Sequence, residues 1–345
     1  MNVEEPVQEN LLKKKSYFGP CQRLFLFWTE LFCLVLIITI NVIYACNLKL
    51  NSKFAVFALC RIVLNIILAA SRFIIVLVLI KSKKKSSHLD NLYAIGVHQK
   101  DGLKRFITRK QLNKNIACST LLFLKFVLHV WHSINTGIYF GWKPIHAITH
   151  LIHPAIFFFI TREIIEFCIN LQAAFKLVNS KVNSLVKSQS IDFESLIRCR
   201  RYYSFVVKAT KSVENYFRYF VTFFYVHYAF YNIMNIVDAF GGRSSMDIYW
   251  IFHAIVDTLL MIYLTINLVS VNLLSRKCLD SLYELSFKMK RLDMKYENEI
   301  FIGRVLFTDV GFTFANLFTI NTQFIASMLT LSFTIILALA NFLYQ

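Results

Sequence analysis

The most constraining feature of this sequence is a series of apolar stretches, each long enough to cross a lipid bilayer as one helix. A spanning helix needs about 20 predominantly apolar residues, and 57% of the 345 residues are hydrophobic. Seven stretches reach this length, at residues 24–45, 54–80, 116–140, 145–171, 216–240, 248–274 and 312–342. The sequence therefore predicts an all-α integral membrane protein with seven transmembrane helices.

Basic residues indicate the orientation of the predicted spans. Twenty-nine Lys and Arg fall in residues 1–23, 81–115, 172–212 and 275–304, whereas the alternate segments between spans hold four. Cytoplasmic segments carry such an excess of positive charge. We therefore expect a cytoplasmic N-terminus, an extracellular C-terminus and a multi-pass protein of the plasma membrane. A G-protein-coupled receptor has the opposite orientation, and we exclude that class.

Charge, cysteine spacing and motifs exclude several other functions. The net charge of +18 would suit a nucleic-acid-binding protein, but the basic residues lie in loops between spans, as membrane topology requires. The first twenty-odd residues are polar and charged, so we expect no cleaved signal peptide. The eight Cys show no paired spacing, which favours reduced thiols. Because phosphate loops and hydrolase motifs are missing from the sequence, we expect neither an enzyme nor a cofactor.

The long basic segments after the fourth and sixth spans have the spacing of helices. Gly and Pro are scarce in both. Apolar residues recur there at helical intervals, at Phe175, Val178, Val182 and Leu185 and at Leu282, Leu285, Met289 and Leu292. We predict helices that continue below the membrane and pack together there. The alternative is an amphipathic helix that lies on anionic lipid.

The last apolar stretch, predicted to cross as one helix, carries a stripe of small and polar side chains. They follow one another in steps of three or four, which places them on one helix face. The stripe consists of Thr319, Gln323, Ser327, Thr330, Thr334, Ala338 and Asn341. Hydrocarbon cannot satisfy hydroxyl and amide groups. This face must therefore meet either a seam between packed helices or water in a pore.

The end of this stretch resembles the signature of the insect chemoreceptor superfamily, and of the gustatory receptors in particular. In the family pattern TYxxxxxQF, Thr334 and Phe342 match, Asn341 stands in place of Gln, and Ile335 stands in place of Tyr. Residues 311–321 also look like the family's lead into its seventh span. The predicted topology resembles the family over nearly the whole chain.

This resemblance implies a tetrameric, ligand-gated ion channel in which the last span of each subunit surrounds the pore. It implies a cytoplasmic N-terminus (1–23) and a six-helix, ligand-binding bundle with cytoplasmic extensions (24–274). Cytoplasmic anchor helices (275–311) would hold the tetramer together, and a pore-lining seventh helix with a short outer tail (312–345) would follow. A small-molecule tastant would bind within the bundle, near its outer side.

The family motif also assigns roles along the stripe. Ala338 would stand near the gate, with Leu337 as the alternative gate residue, and Asn341 would stand near the filter. The stripe has no acid, so we expect poor discrimination among monovalent and divalent cations. The expected partners are tastant, these cations, membrane lipid and related receptors in a homo- or heterotetramer. The alternatives are a secondary transporter, which internal repeats would indicate, and a non-conducting co-receptor subunit.

Polar and aromatic residues gather in the predicted outer halves of spans three to six. A pocket of this kind suits an apolar or amphipathic tastant more than a sugar, because aromatic and His side chains outnumber acids. The candidate ligand-binding residues are Trp131, His132, His150, Tyr228, Tyr231, Asn232, Trp250, His253 and Asp257. Aromatic residues at these depths also form the interfacial belts of membrane proteins.

Two features of this region allow more than one interpretation. Asp257 within a span would cost about 2.5–3.5 kcal/mol at the bilayer centre, so it should have a partner, with His253, Arg61 and Lys125 as candidates. An ion pair competes there with ligand recognition. His146, His150 and His153 share one helix face. Zinc is conceivable there, but interfacial, hydrogen-bonding and ligand-contact roles compete, and we expect no metal.

Overall fold

The computed structural model describes residues 20–46, 53–81, 101–135, 143–188, 190–232 and 247–344 of the chain. These residues are almost entirely helical, as the sequence predicts. Their elements are α1 (Pro20–Cys46), α2 (Lys53–Lys81), α3 (Asp101–Asn135), α4 (Lys143–Lys187), α5 (Phe193–His227) with a π-helical turn (Tyr228–Asn232), α6 (Asp247–Arg276), α7 (Leu279–Lys288), α8 (Leu292–Phe307), β1 (Thr313–Phe314), β2 (Phe318–Thr319) and α9 (Thr322–Tyr344).

The central element is α4, which contacts helices α1, α3, α5, α6 and α7. Most of its residues from 164 to 179 are buried, on every side of the helix, which is typical of a helix enclosed by others. The buried side chains of this part include Ile164, Ile165, Cys168, Leu171 and Phe175. The largest hydrophobic cluster extends from α4 into the surrounding helices.

Helices α4 and α6 run in the same direction. Gln172 donates to the carbonyl of Asn267 (3.1 Å), and Asn179 donates to the carbonyl of Leu274 (3.0 Å). Both donors and both acceptors are seven residues apart, so the contact repeats every two helical turns, as in a coiled coil. Two spans in the same direction agree with one crossing between them, as the sequence predicts for spans four and six.

The predicted extensions of α4 and α5 pack against α7 and α8. Phe175, Val178 and Val182 are buried, as are Leu282 and Leu285. A helix lying alone on lipid would leave one such face without protein contacts, so packed helices are the better description.

One residue of the predicted apolar face is placed differently. Leu292 is 83% exposed, because the backbone is extended at Met289 and Arg291 and a new helix begins at Leu292. Asn298 joins the two helices by donating to the carbonyl of Leu282 and to Ser286 Oγ. The expected single apolar face is therefore divided between α7 and α8.

The chain is a membrane protein. Among the described residues, three helical segments have the length and apolar composition of a membrane span, and α9 contains a shorter apolar segment, Thr322–Ile335. The three segments are Leu24–Ile43, Leu59–Ile80 and Ile251–Lys288. The count of seven spans and their orientation stay predictions.

The start of the last helix differs from the sequence prediction. Residues 313–319 form an antiparallel hairpin, β1–β2, in which Thr313 pairs with Thr319. The tip residues Ala315 and Asn316 have positive φ angles of 50° and 61°, which a right-handed helix cannot contain. The helix therefore begins at Thr322 rather than at residue 312, although its 23 residues are still enough to cross a bilayer.

Candidate ligand site and channel helix

A buried cluster of ionisable side chains lies between α3 and α6. Lys125 donates from Nζ to Oδ1 of Asp257, and His253 Nδ1 lies 3.3 Å from Oδ2 of the same carboxylate. The His129 ring stands edge-on to the His253 ring, with 5.7 Å between centroids. Each helix contributes its two residues at a spacing of four, so both pairs lie on facing helix sides.

The cluster satisfies the charge of Asp257 inside the bundle. The side chains of Lys125 and Asp257 are almost buried, and an isolated charge at this depth would be costly. Lys125 also lies 5.8 Å from the Phe158 ring centroid. Of the three partners considered for Asp257, the structure thus brings Lys125 and His253 to it.

The π-helical turn at the end of α5 sits beside this cluster. The Tyr228 hydroxyl bonds Thr258 Oγ1 (3.1 Å), one residue after Asp257. Thr258 itself donates to the carbonyl of Ala254, so Tyr228 is the donor in the first bond. One π turn shifts the register of the following residues and is frequent at functional sites. Helical periodicity gave no sign of this turn.

A second buried ion pair joins α1 and α2. Arg72 donates from Nε to Oε2 of Glu30 at 2.9 Å, and the two side chains are 1% and 0% exposed. Its partner on α1 thus holds Arg72 inside the bundle. The sequence shows that each of these apolar stretches carries a charged residue that needs a partner, because hydrocarbon cannot solvate it.

His227 at the end of α5 lies within electrostatic range of both ion pairs. Arg72, Lys125, Asp257 and His253 all act on its ring. Aromatic rings surround it as well, with Phe157 and Phe223 at centroid distances of 5.5 Å and 5.8 Å. His227 therefore lies near Arg72 of one ion pair and near both members of the Lys125–Asp257 pair.

The structure separates the candidate ligand residues into three groups. His253 lies against Asp257, and Tyr228 bonds Thr258, the residue after Asp257. Trp131 is 38% exposed. It follows His129 by two positions, and this separation places it on nearly the opposite side of the helix. Trp131 therefore lies apart from the His129 side of α3, and its place in a ligand site stays a prediction. The side chains of the remaining candidates lie outside the described part of the chain. They are those of His132, His150, Tyr231, Asn232 and Trp250. The same holds for the side chains of His146 and His153 on the first turns of α4.

The polar stripe occupies one side of α9, and the opposite side contacts the rest of the chain. Gln323, Ser327, Thr330, Thr334, Leu337, Ala338 and Asn341 are all exposed. Partly or fully buried residues recur at Phe324, Met328, Ser332 and Ile335. At 100° per residue these two sets point in opposite directions. Thr319 is the exception to the predicted stripe, because it lies in β2 and precedes the helix.

The hydroxyl groups of the stripe have a defined polarity. Thr330 donates to the carbonyl of Ala326 (3.0 Å), and Thr334 donates to the carbonyl of Thr330 (2.9 Å). Because these two hydroxyl hydrogens are used within the helix, the lone pairs of both oxygens are left to accept. Thr330 and Thr334 thus present acceptors, which suit cations more than anions.

A cavity separates α9 from α5 and α6. The polar groups that face it have partners: the Tyr225 hydroxyl bonds Thr265 Oγ1 at 2.8 Å, the Tyr228 hydroxyl bonds Thr258 Oγ1, and Ser332 donates to the carbonyl of Met328. The remaining walls are apolar and come from Met261, Ile262, Ile266, Phe324, Ile325, Met328 and Leu329. Among the described residues of α9, Phe324 in the first turn is buried, whereas Ile325, Met328 and Ser332 are partly buried beside the cavity.

Among the residues that the structure describes, no group of three or more His, Cys, Asp or Glu side chains has the geometry of a metal site. The His-rich face at the start of α4 is not covered by this finding.

Comparisons with known proteins give a likeness at the level of structure. No protein-family model and no curated protein sequence matches the chain. The structure of the insect olfactory receptor OR5 from Machilis hrabei in complex with eugenol aligns with a TM-score of 0.67 at 14% identity, covering 97% of this chain and 92% of that chain. A second structure of that receptor aligns with a TM-score of 0.68 at 13% identity, covering 98% and 92%. The chain therefore shares the fold of this receptor over nearly its whole length.

Proposed function

We propose that this protein is a gustatory receptor of the insect chemoreceptor superfamily, which acts as a ligand-gated, poorly selective cation channel of the plasma membrane. The observation that carries the proposal is the placement of the polar stripe on α9. It faces away from the subunit's own helices, and hydrocarbon would leave its outward-facing oxygens without partners. Water in a central pore, surrounded by copies of α9, satisfies them.

The proposed stoichiometry is a tetramer, alone or with related receptors. Helices α7 and α8 expose large apolar side chains on their outer surface, with Phe287 and Phe307 each 89% exposed. Large exposed apolar side chains in a part of the chain outside the membrane favour contact with another protein surface. Packing of these helices between subunits would bring four copies of α9 together.

The proposed tastant site lies in the outer half of the bundle, around Asp257, His253 and Tyr228. Eugenol, the compound in the complex of the olfactory receptor, agrees in class with the apolar or amphipathic tastant that the sequence favours. A ligand hydroxyl competing for Asp257 would weaken its pairing with Lys125. Because Tyr228 bonds the neighbouring Thr258, such a change is passed directly to the end of α5.

Along the proposed pore, Leu337 and Ala338 form the gate and Asn341 forms the filter. Ala338 provides little apolar bulk, so Leu337 supplies the hydrophobic constriction. An amide ring at Asn341 offers oxygen ligands without a negative charge, which admits monovalent and divalent cations with little discrimination.

The test is to record currents from cells that express this chain, with and without a related receptor, against a panel of tastants. Asn341→Ala and Thr334→Ala are expected to change the relative permeability of Na⁺, K⁺ and Ca²⁺. Ser332→Ala is the matched control, because it removes a hydroxyl from the opposite side of the same helix. Unchanged permeation in both stripe variants, with robust current, would assign the stripe to a packed seam. Current only in the presence of a related receptor, with permeation independent of Asn341, would indicate a non-conducting subunit.

The ligand site is tested separately. Asp257→Asn and His253→Ala are expected to shift the tastant concentration for half-maximal current while the permeability ratios stay as in the wild type. If both variants reach the cell surface normally and respond to every tastant with the same half-maximal concentration as the wild type, these residues do not belong to the ligand site.

A further inference from the structure

The segment that joins α8 to α9 is a short hairpin with an unfavourable tip. Ile320 N donates to the carbonyl of Phe312 (2.8 Å), and Leu317 N donates to the carbonyl of Phe314 (2.9 Å). The left-handed region adopted at Ala315 costs about 1 kcal/mol for a residue with a Cβ. Contacts from neighbouring elements must therefore hold the tip in this shape.

Helix α5 supplies these contacts from one face. The Thr222 hydroxyl oxygen accepts the backbone N–H of Ala315 at 2.8 Å, and Thr313 donates its hydroxyl to Glu214. Glu214 is buried and is held by Arg218 through two bonds of 2.7 Å each. Glu214, Arg218 and Thr222 are spaced by four, so two turns of α5 form one binding edge for the hairpin.

Helix α6 holds the base of the same hairpin. Asn272 donates to the carbonyl of Val310 (2.9 Å), and Arg276 donates to Asp309 (2.8 Å). Gly311 lies close to this helix, because a Cβ there would stand 3.4 Å from Asn272 Cβ and 2.9 Å from Thr319 Cγ2. The base is thus fixed to α6, while the tip is fixed to α5.

Aromatic contacts continue from the hairpin into α9. Phe314 stacks on Phe318 with 5.3 Å between centroids, and both contact Phe324 in the first turn of α9, at 5.9 Å and 5.6 Å. Tyr225 of α5 meets Phe324 edge-on at 4.9 Å. Since Phe324 is the one fully buried side chain among those described on α9, this cluster is the main anchor of the helix.

We propose that Glu214 and Thr222 are positioning residues that couple α5 to α9 through the hairpin. The inference rests on the proposed channel function and adds the path by which the ligand site acts on the pore. Helix α5 ends at His227 and Tyr228 beside the cluster of Lys125, His253 and Asp257, and its earlier turns hold the hairpin. A displacement of α5 moves the tip relative to the base on α6, and the rotation that results turns the start of α9.

The first experiment measures the coupling without any current. Amide hydrogen exchange of the purified full-length protein is compared between wild type, Thr222→Val and Thr313→Val, which remove one hydroxyl each with little change in shape. Exchange is expected to rise roughly tenfold in residues 313–319, the change for one lost hydrogen bond, and to rise also in residues 322–328. Thr210→Val is the matched control, because the Thr210 hydroxyl bonds only the carbonyl of Val206 in its own helix.

The second experiment records tastant dose–response curves for the same variants. Thr313→Val is expected to shift the half-maximal tastant concentration by roughly tenfold, the change for one lost hydrogen bond to a charged group, with unchanged permeability ratios. Thr313→Ser keeps the hydroxyl and should restore the wild-type curve. Faster exchange confined to the hairpin, or a shift equal to that of Thr210→Val, would overturn the coupling. Absence of current from the wild type alone and with a related receptor would instead refute the channel function, and the exchange result would still decide the coupling.

Discussion

The ion pair between Glu30 and Arg72 predicts an asymmetric response to loss of either partner. Their side chains are 0% and 1% exposed, so water does not screen the charge that is left behind. Removing one member of a buried pair typically costs about 3–5 kcal/mol. Replacing both by apolar side chains of similar volume is often close to neutral. The two single variants should differ because the residual charges differ in chemistry.

In Arg72→Met the remaining carboxylate can take up a proton. At pH 7 this costs an ordinary glutamate, with a pKa of about 4.3, roughly 3.7 kcal/mol, which sets an upper limit on the penalty. In Glu30→Leu the guanidinium cannot escape in this way, since losing its proton at pH 7 costs about 7 kcal/mol or more. Glu30→Leu should therefore be the least stable variant and Glu30→Leu/Arg72→Met the most stable of the three.

The pH dependence follows from proton uptake. The folded Arg72→Met variant binds a proton that the unfolded chain does not bind at pH 7, so its stability rises as the pH falls. Between pH 7 and pH 5 the gain is at most about 2.7 kcal/mol. Glu30→Leu should show no such gain. These differences in stability are measured by thermal unfolding in detergent micelles at both pH values, and the change in the wild type between the two pH values is subtracted from that of each variant. Equal losses in the single variants, or an Arg72→Met variant indifferent to pH, would refute the assignment of a buried charge pair.

Three further predictions concern cysteine accessibility and the hairpin. Cys46 is exposed at the end of α1, and the predicted orientation places it outside the cell. A membrane-impermeant maleimide should therefore label Cys46 on intact cells. Labelling only after permeabilisation would show that the predicted orientation is inverted. Burial raises the pKa of Cys199, in the predicted cytoplasmic part of α5, to about 11. This thiol should therefore react with a maleimide at least roughly 100-fold more slowly than a free cysteine at neutral pH. A reaction rate equal to that in the denatured protein would contradict the burial of Cys199. Gly311→Ala should destabilise the protein by about 1–3 kcal/mol, because the added methyl group meets Thr319; Gly102→Ala, which meets nothing within 4 Å, is the control and should leave the protein as stable or slightly more stable in thermal unfolding.

Local pattern predicted much of the architecture. Helical spacing of apolar residues identified the long extension of α4 and the helix α7, and the burial of Phe175, Val178 and Val182 confirms the packing of the α4 extension. The same spacing failed at the α7–α8 boundary and at the hairpin. Both errors have one cause. The spacing of apolar residues gives no information about one or two residues of extended or left-handed backbone, and these are enough to break a helix.

The candidate site was predicted in part. Asp257 and His253 were identified because charged and polar residues within an apolar stretch require a partner, and Lys125 was among the partners considered. The same reasoning applies to Glu30 and Arg72, but the sequence does not show that these two residues pair with each other. Trp131 was included by composition alone, although its position relative to His129 places it on the other side of α3.

The sequence by itself determined that the chain is helical and enters a membrane, and it located a polar face on the last helix. These properties depend on neighbours along the chain, through helical periodicity and the cost of exposing polar groups to lipid. Only the tertiary structure decided which buried charges meet, where the π turn interrupts α5, and how the hairpin sets the start of α9. Such pairings depend on which helices lie side by side, and residues as far apart as Lys125 and Asp257 carry no local signal of their contact.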